Sequence, residues 1–171
     1  MEQQVDQARP DQLFQRLAKA RADAGNALQL DLGMAVVGLA YERRLASRVA
    51  FQITGHAFGT WFGPVFDQPN FTGFGGGVRP TVFLTEDAPR GVYVAPFLRI
   101  DRVTVDEPGA TSDWGYSTGA FVGYSWLFAD RFNLRVGAGA QWLAYEVFVG
   151  PRRESFRTLF PALDLVVGYA F

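Results

Sequence analysis

The 171-residue chain has no cysteine, a single histidine (His56) and a single lysine among its sixteen basic residues. Without cysteine there is no disulfide framework and no thiolate metal site, an absence compatible with an oxidising compartment outside the cytoplasm. One histidine leaves acid–base chemistry a single imidazole to work with. The basic residues are scattered and the net charge is −1, so no patch for nucleic acid is expected. No apolar run approaches the ~18 to 20 residues that a membrane-spanning helix needs. A basic region followed by an apolar core is also missing after Met1, so no signal peptide is visible.

What is present is apolar content spread by alternation: 49% hydrophobic residues, 15% aromatics and 19 glycines. The clearest case is Leu159 to Phe171, where Leu159, Leu163, Leu165, Val167, Tyr169 and Phe171 hold odd positions and Ala162, Asp164, Gly168 and Ala170 even ones. That period of two describes a strand with one face suited to hydrocarbon. An apolar strand at a sheet edge is an aggregation hazard unless it is paired, and closure into a barrel removes the edge. The expected fold is all-β, a single antiparallel up-and-down transmembrane β-barrel of about eight strands with a short N-terminal amphipathic helix. Read inverted, the same pattern suits a soluble lipocalin-like barrel with its apolar face inside.

Two segments are expected, a polar stretch with the amphipathic helix over 1–25 and the barrel over 26–171. Pro10, Asp11 in the first turn and the stop at Gly25 delimit the helix, and Leu13, Phe14 and Leu17 share one of its faces. It packs at the rim, lies on the membrane surface or plugs the lumen. Strands are expected at 26–33, 37–44, 49–62, 72–84, 91–105, 114–128, 132–147 and 159–171. A phase slip between Gly33 and Gly38 separates the first two, and Gly150 to Ser155 reads as the last loop. Trp61, Trp114, Trp126 and Trp142 fall toward strand ends, the positions of interfacial aromatics.

The finish through Leu165, Val167, Tyr169 and Phe171 resembles the C-terminal assembly signal of bacterial outer-membrane β-barrel proteins. Together with Tyr41-Glu-Arg-Arg-Leu45 at a turn, Gly91-Val-Tyr-Val-Ala-Pro-Phe97 and Gly123-Tyr-Ser-Trp-Leu-Phe128, it makes residues 26–171 similar to small eight-stranded barrels of the OmpA/OmpX type, closest to an uncharacterised family within that group. The resemblance implies the outer membrane of Gram-negative bacteria, with a signal peptide removed or lying before the given start. It implies outer-membrane lipids, lipopolysaccharide and the barrel-assembly machinery as partners, and no cofactor. Members of the group include adhesins, lipid-modifying enzymes and structural anchors, so the fold leaves function open.

Chemistry is expected inside. Inward positions carry Gln52, His56, Arg79, Arg99, Asp101, Arg135, Gln141 and Asp164, a candidate lumen polar network, with Asp164 the one inward acid near several inward arginines. An eight-stranded barrel is just wide enough for side chains to fill, so these groups are expected to pair and close the bore. The alternatives are a narrow pore gated by exchange of those pairs and an enzyme of lipid A acyl chemistry in which His56 serves Ser117 or Ser125 as base. No catalytic residue is assigned. Gly73-Phe-Gly-Gly-Gly77 has no helix after it and is not a nucleotide loop. Asp106, Glu107 and Asp113 read as a solvated loop in preference to a cation site.

Overall fold

The computed structural model describes residues 25–61 and 70–171. Eight strands run in chain order: β1 (Asn26–Leu32), β2 (Val36–Ala46), β3 (Val49–Gly59), β4 (Phe71–Phe83), β5 (Gly91–Val105), β6 (Asp113–Phe128), β7 (Phe132–Val149) and β8 (Arg152–Ala170). Each pairs antiparallel with the next, and β1 pairs with β8 from Ala27 opposite Ala170 to Asp31 opposite Val166, which closes the barrel. The expected helix lies, apart from Gly25, outside the described residues. The phase slip marks a real turn, since the chain reverses through Gly33 to Ala35.

Two expectations need correction. The stretch 150–155 is not a loop: β7 continues to Val149, β8 starts at Arg152, and only Gly150 and Pro151 lie between them. Gly150 takes φ = +59°, a backbone setting open to glycine at little steric cost, and this lets so long a hairpin turn in two residues. Charged residues at 152–154 give the stretch a loop's composition, yet period two persists through it to buried Phe156. Trp142 sits well inside the lengthened β7, not toward its end.

The register fixes the barrel's geometry. From Leu30 the paired residues run through Leu39, Gly55, Gly76, Ile100, Tyr116 and Ala144 to Arg157, whereas Leu30 itself pairs with Val167, ten positions further along β8. That stagger is the shear, and it demands strands tilted by about 40°. At ~3.3 Å per residue the ten positions amount to roughly 25 Å along the barrel axis. Beyond Val166, which faces Asp31 near the top of β1, β8 continues back to Arg152, so the β7–β8 hairpin stands well above the β1–β2 turn at the loop end, while the turns at the opposite end, beside both Asn26 and Phe171, are level with one another.

The two faces are arranged as the membrane reading of the alternation expects. Leu39, Phe74, Val122, Leu159 and Leu163 are exposed outward, whereas Gln52, Arg79, Asp101 and Arg135 are buried inward. So continuous an apolar exterior, around an interior that carries the buried charges, is the reverse of a soluble carrier. Trp126, Phe128, Phe132 and Tyr169 cluster at the turn end of β6–β8, and Trp114 and Tyr116 lie on the outer face toward the loop end. Phe171 locks the seam, accepting the N–H of Asn26 at 3.2 Å and donating to its carbonyl at 2.9 Å.

Candidate functional site

The inward side chains fill the bore in tiers. At the turn end the β4–β5 connection folds into the mouth, so that Ala88 is buried. Ala88 donates its N–H to the Ser47 carbonyl at 2.7 Å, and the Pro89 carbonyl accepts from the Ser125 hydroxyl and, at 3.3 Å, from Asn133. The gap left among Glu42, Arg44, Ala88 and Ala170 is about 10 Å³, room for about one water.

Above this lid Glu42 receives Arg135 Nη2 on both carboxylate oxygens, at 3.0 and 2.9 Å, and Gln29 Nε2 at 3.2 Å. Gln52 extends the chain by donating to Gln29 Oε1 at 2.6 Å. The Arg135 guanidinium lies 5.2 Å from the Tyr93 ring and 5.6 Å from that of Phe83, so a desolvated cation meets aromatic faces as well as a carboxylate. Next, Asp164 accepts Arg79 Nη1 and the Tyr93 hydroxyl, each at 2.6 Å. Asp31 stands between Arg99 at 3.6 Å and Arg79 at 4.0 Å, and Arg99 lies 4.5 Å from the Phe97 ring, which stacks on Phe121. Higher still, Asp101 joins His56 Nε2 at 2.7 Å and the Tyr145 hydroxyl at 2.8 Å. The loop end of the bore is apolar, with Val36, Phe58, Phe71, Val103, Leu143, Val147 and Phe156 in one buried cluster.

Glycine provides the room. A Cβ on Gly38 would come within 2.5 Å of His56 Cβ, one on Gly75 would strike the Asp101 carboxylate, and one on Gly123 would approach the Tyr93 hydroxyl to 2.6 Å. His56, Asp101 and Tyr93 thus each lie over a glycine of the adjacent strand. The repeated glycine serves the packing of the bore, as its lack of a following helix implies.

All eight residues of the expected network are buried. Seven of them join the tiers, while Gln141 stands apart with a single long bond of 3.4 Å to the Pro161 carbonyl. Sequence reasoning missed Asp31 and Glu42, so Asp164 is not the one acid near the arginines. The signal was available: Glu42 follows Gly38 and Ala40 in the inward phase of β2, but Arg43 and Arg44 beside it give the stretch the composition of a turn. The proposed serine chemistry does not assemble. Ser125 is engaged at the turn-end lid and buried Ser117 lies beside Tyr145, and among the described residues no hydrogen bond links either serine to His56. Glu107 is taken by Arg152 at 2.7 Å and Asp113 by the N–H of Trp114, and among the described residues no cluster suits a metal ion.

No protein-family model matches the chain, and no curated protein matches it. Solved structures do. The N-terminal β-barrel domain of Pseudomonas aeruginosa OprF superposes with a TM-score of 0.56 at 12% identity, over 85% of this chain and 95% of that one. Neisserial surface protein A (NspA) superposes with a TM-score of 0.55 at 16% identity, over 85% and 96% of the two chains. At such identities the likeness is one of fold, and the fold is that of the small eight-stranded barrels.

Proposed function

We propose that this chain is a small barrel of the bacterial outer membrane with a structural or interaction role, its lumen closed to solutes by its own side chains. The observation that carries the reading is the succession of closures along one bore: a backbone lid at Pro89, a run of paired charges from Glu42 to Asp101, and an apolar cluster around Phe71. An ion would have to part several buried pairs in turn, and each separation leaves a charge unpaired in a low-dielectric interior. The outward Leu165, Tyr169 and Phe171 support the aromatic end as the element handed to the assembly machinery.

The protein refolded in detergent should shift its gel mobility on heating and insert into vesicles, and in planar bilayers it should give no sustained conductance. Steady open channels would replace this reading with that of a narrow pore. A chain that stays soluble and monomeric without detergent would remove the membrane assignment itself.

A further inference from the structure

We propose that the outer face of β6–β8 holds a phosphate-bearing, acylated glycolipid of the leaflet that meets the loop end of the barrel. The inference rests on the outer-membrane reading and names a partner for one face of it.

The outer wall is hollowed there. Tyr116, Ala144 and Arg157 are register partners in one row across three strands, and the small Ala144 forms the floor of a groove of about 440 Å³ that Trp114 and Trp142 also line. That volume lies within the range of small-molecule sites. Beyond Trp142, toward the turn end, the outer wall carries the exposed small pair Ala140 and Ala120, a low stretch of surface on which an acyl chain has room to lie. In the other direction the outward positions change from Trp142 and Leu159 to Glu146 and Arg153. The groove thus crosses from hydrocarbon to water, where a lipid carries its headgroup.

The charges there favour an anion. Glu146 Oε2 accepts from both Arg153 and Arg157, the latter at 3.0 Å, so one carboxylate serves two guanidinium groups. Both arginine side chains remain more than half exposed, which leaves donors free to face outward. Arg102, the register partner of Trp114, is exposed on the same face and makes no ion pair among the described residues. Three arginines therefore face two acids, Glu146 and Asp113, and the Asp113 carboxylate is already engaged by the Trp114 N–H at 2.7 Å. The guanidinium fork matches phosphate oxygens, and aromatic rings at this depth hold the sugar and the upper acyl chain.

The test is native mass spectrometry of the refolded barrel with lipid A, phosphatidylglycerol or phosphatidylcholine added in detergent. Wild type should retain one lipid A and little phosphatidylcholine. The double variant Arg102→Ala/Arg157→Ala should retain about tenfold less, the loss of one charge-assisted contact or more. Ala144→Trp fills the groove without altering a charge and should lose the lipid as well. Equal retention by wild type and both variants would overturn the site, and so would loss in the charge variant alone, because the groove would then play no part. Phosphatidylglycerol held as well as lipid A would overturn the choice of a glycolipid. Failure of wild type to insert into vesicles would count against the outer-membrane reading, a result separate from any of these.

Discussion

The shortest and the longest hairpins of the barrel meet at its seam. β1 and β2 have 7 and 11 residues and turn through Gly33 to Ala35; β7 and β8 have 18 and 19 and turn through Gly150 and Pro151. Their difference lies in strand length alone, since β8 runs on to Arg152 past its last partner on β1. The walls are level at the turn end, so the excess of β8 over β1 all appears at the loop end. Among the described residues no strand pairs with β8 before Val166 on the β1 side. Phe171 sends its backbone groups toward β1, so the odd residues of β8 face that edge, Pro161 included. Proline supplies no N–H there, and Arg153 and Arg157 add charge, two devices by which an edge resists pairing with another chain.

The two hairpins also use the same chemistry in opposite surroundings. Glu42 of the short hairpin meets Arg135 inside the bore, whereas Glu146 of the tall one meets Arg153 and Arg157 outside. An ion pair shut away from water is coupled strongly, and removal of one partner strands the other. An exposed pair is screened and replaced by water. This contrast can be broken by experiment.

The largest effect is expected at Arg135. Arg135→Ala leaves the buried Glu42 carboxylate with the Gln29 amide as its remaining hydrogen-bond donor. The loss should be about 3–5 kcal/mol in urea unfolding from detergent. A cost below about 1 kcal/mol would mean that the pair is hydrated in solution and that the bore is not closed at this level.

A middling effect is expected from Gly75→Val on β4. The added side chain would meet the Asp101 carboxylate and the backbone of Ile100, so the tier of His56, Asp101 and Tyr145 has to move. Overpacking of this kind costs about 1–3 kcal/mol. Gly55→Val points outward into open space and serves as the control. If the two variants unfold alike, strand propensity and not lumen packing explains the glycines.

The hairpins also differ in how far their roles could be read from sequence. Which face each residue takes follows from period two alone, because in this chain large apolar side chains alternate with glycine and polar groups. Arg79, Arg99, Asp101, Arg135 and Asp164 were therefore assignable to the bore. Their partners were not, since pairing depends on shear, a property of all eight strands together: Arg135 reaches Glu42 across 93 positions and Arg79 reaches Asp164 across 85. The upper half of β7–β8 was hidden for a local reason. Above the apolar band its outward residues no longer need to be apolar, so Arg153, Ser155 and Arg157 look like a loop while their strand continues inward at Phe156.

The smallest effect is expected at the tip of the tall hairpin. Glu146→Gln removes the carboxylate that Arg153 and Arg157 share, but keeps the side chain's size and its capacity to accept a hydrogen bond. Both arginines are open to solvent, so water and salt replace what is lost, and the urea midpoint should stay within experimental error of wild type. Glu42→Gln, the identical chemical change within the bore, should lower that midpoint clearly, because Arg135 then lies buried without a counter-charge. The pair of variants separates burial from residue type. A fall at Glu146→Gln equal to that at Glu42→Gln would show that the tip is as shielded as the lumen, and the account of the tall hairpin as a water-exposed extension of the wall would have to be given up.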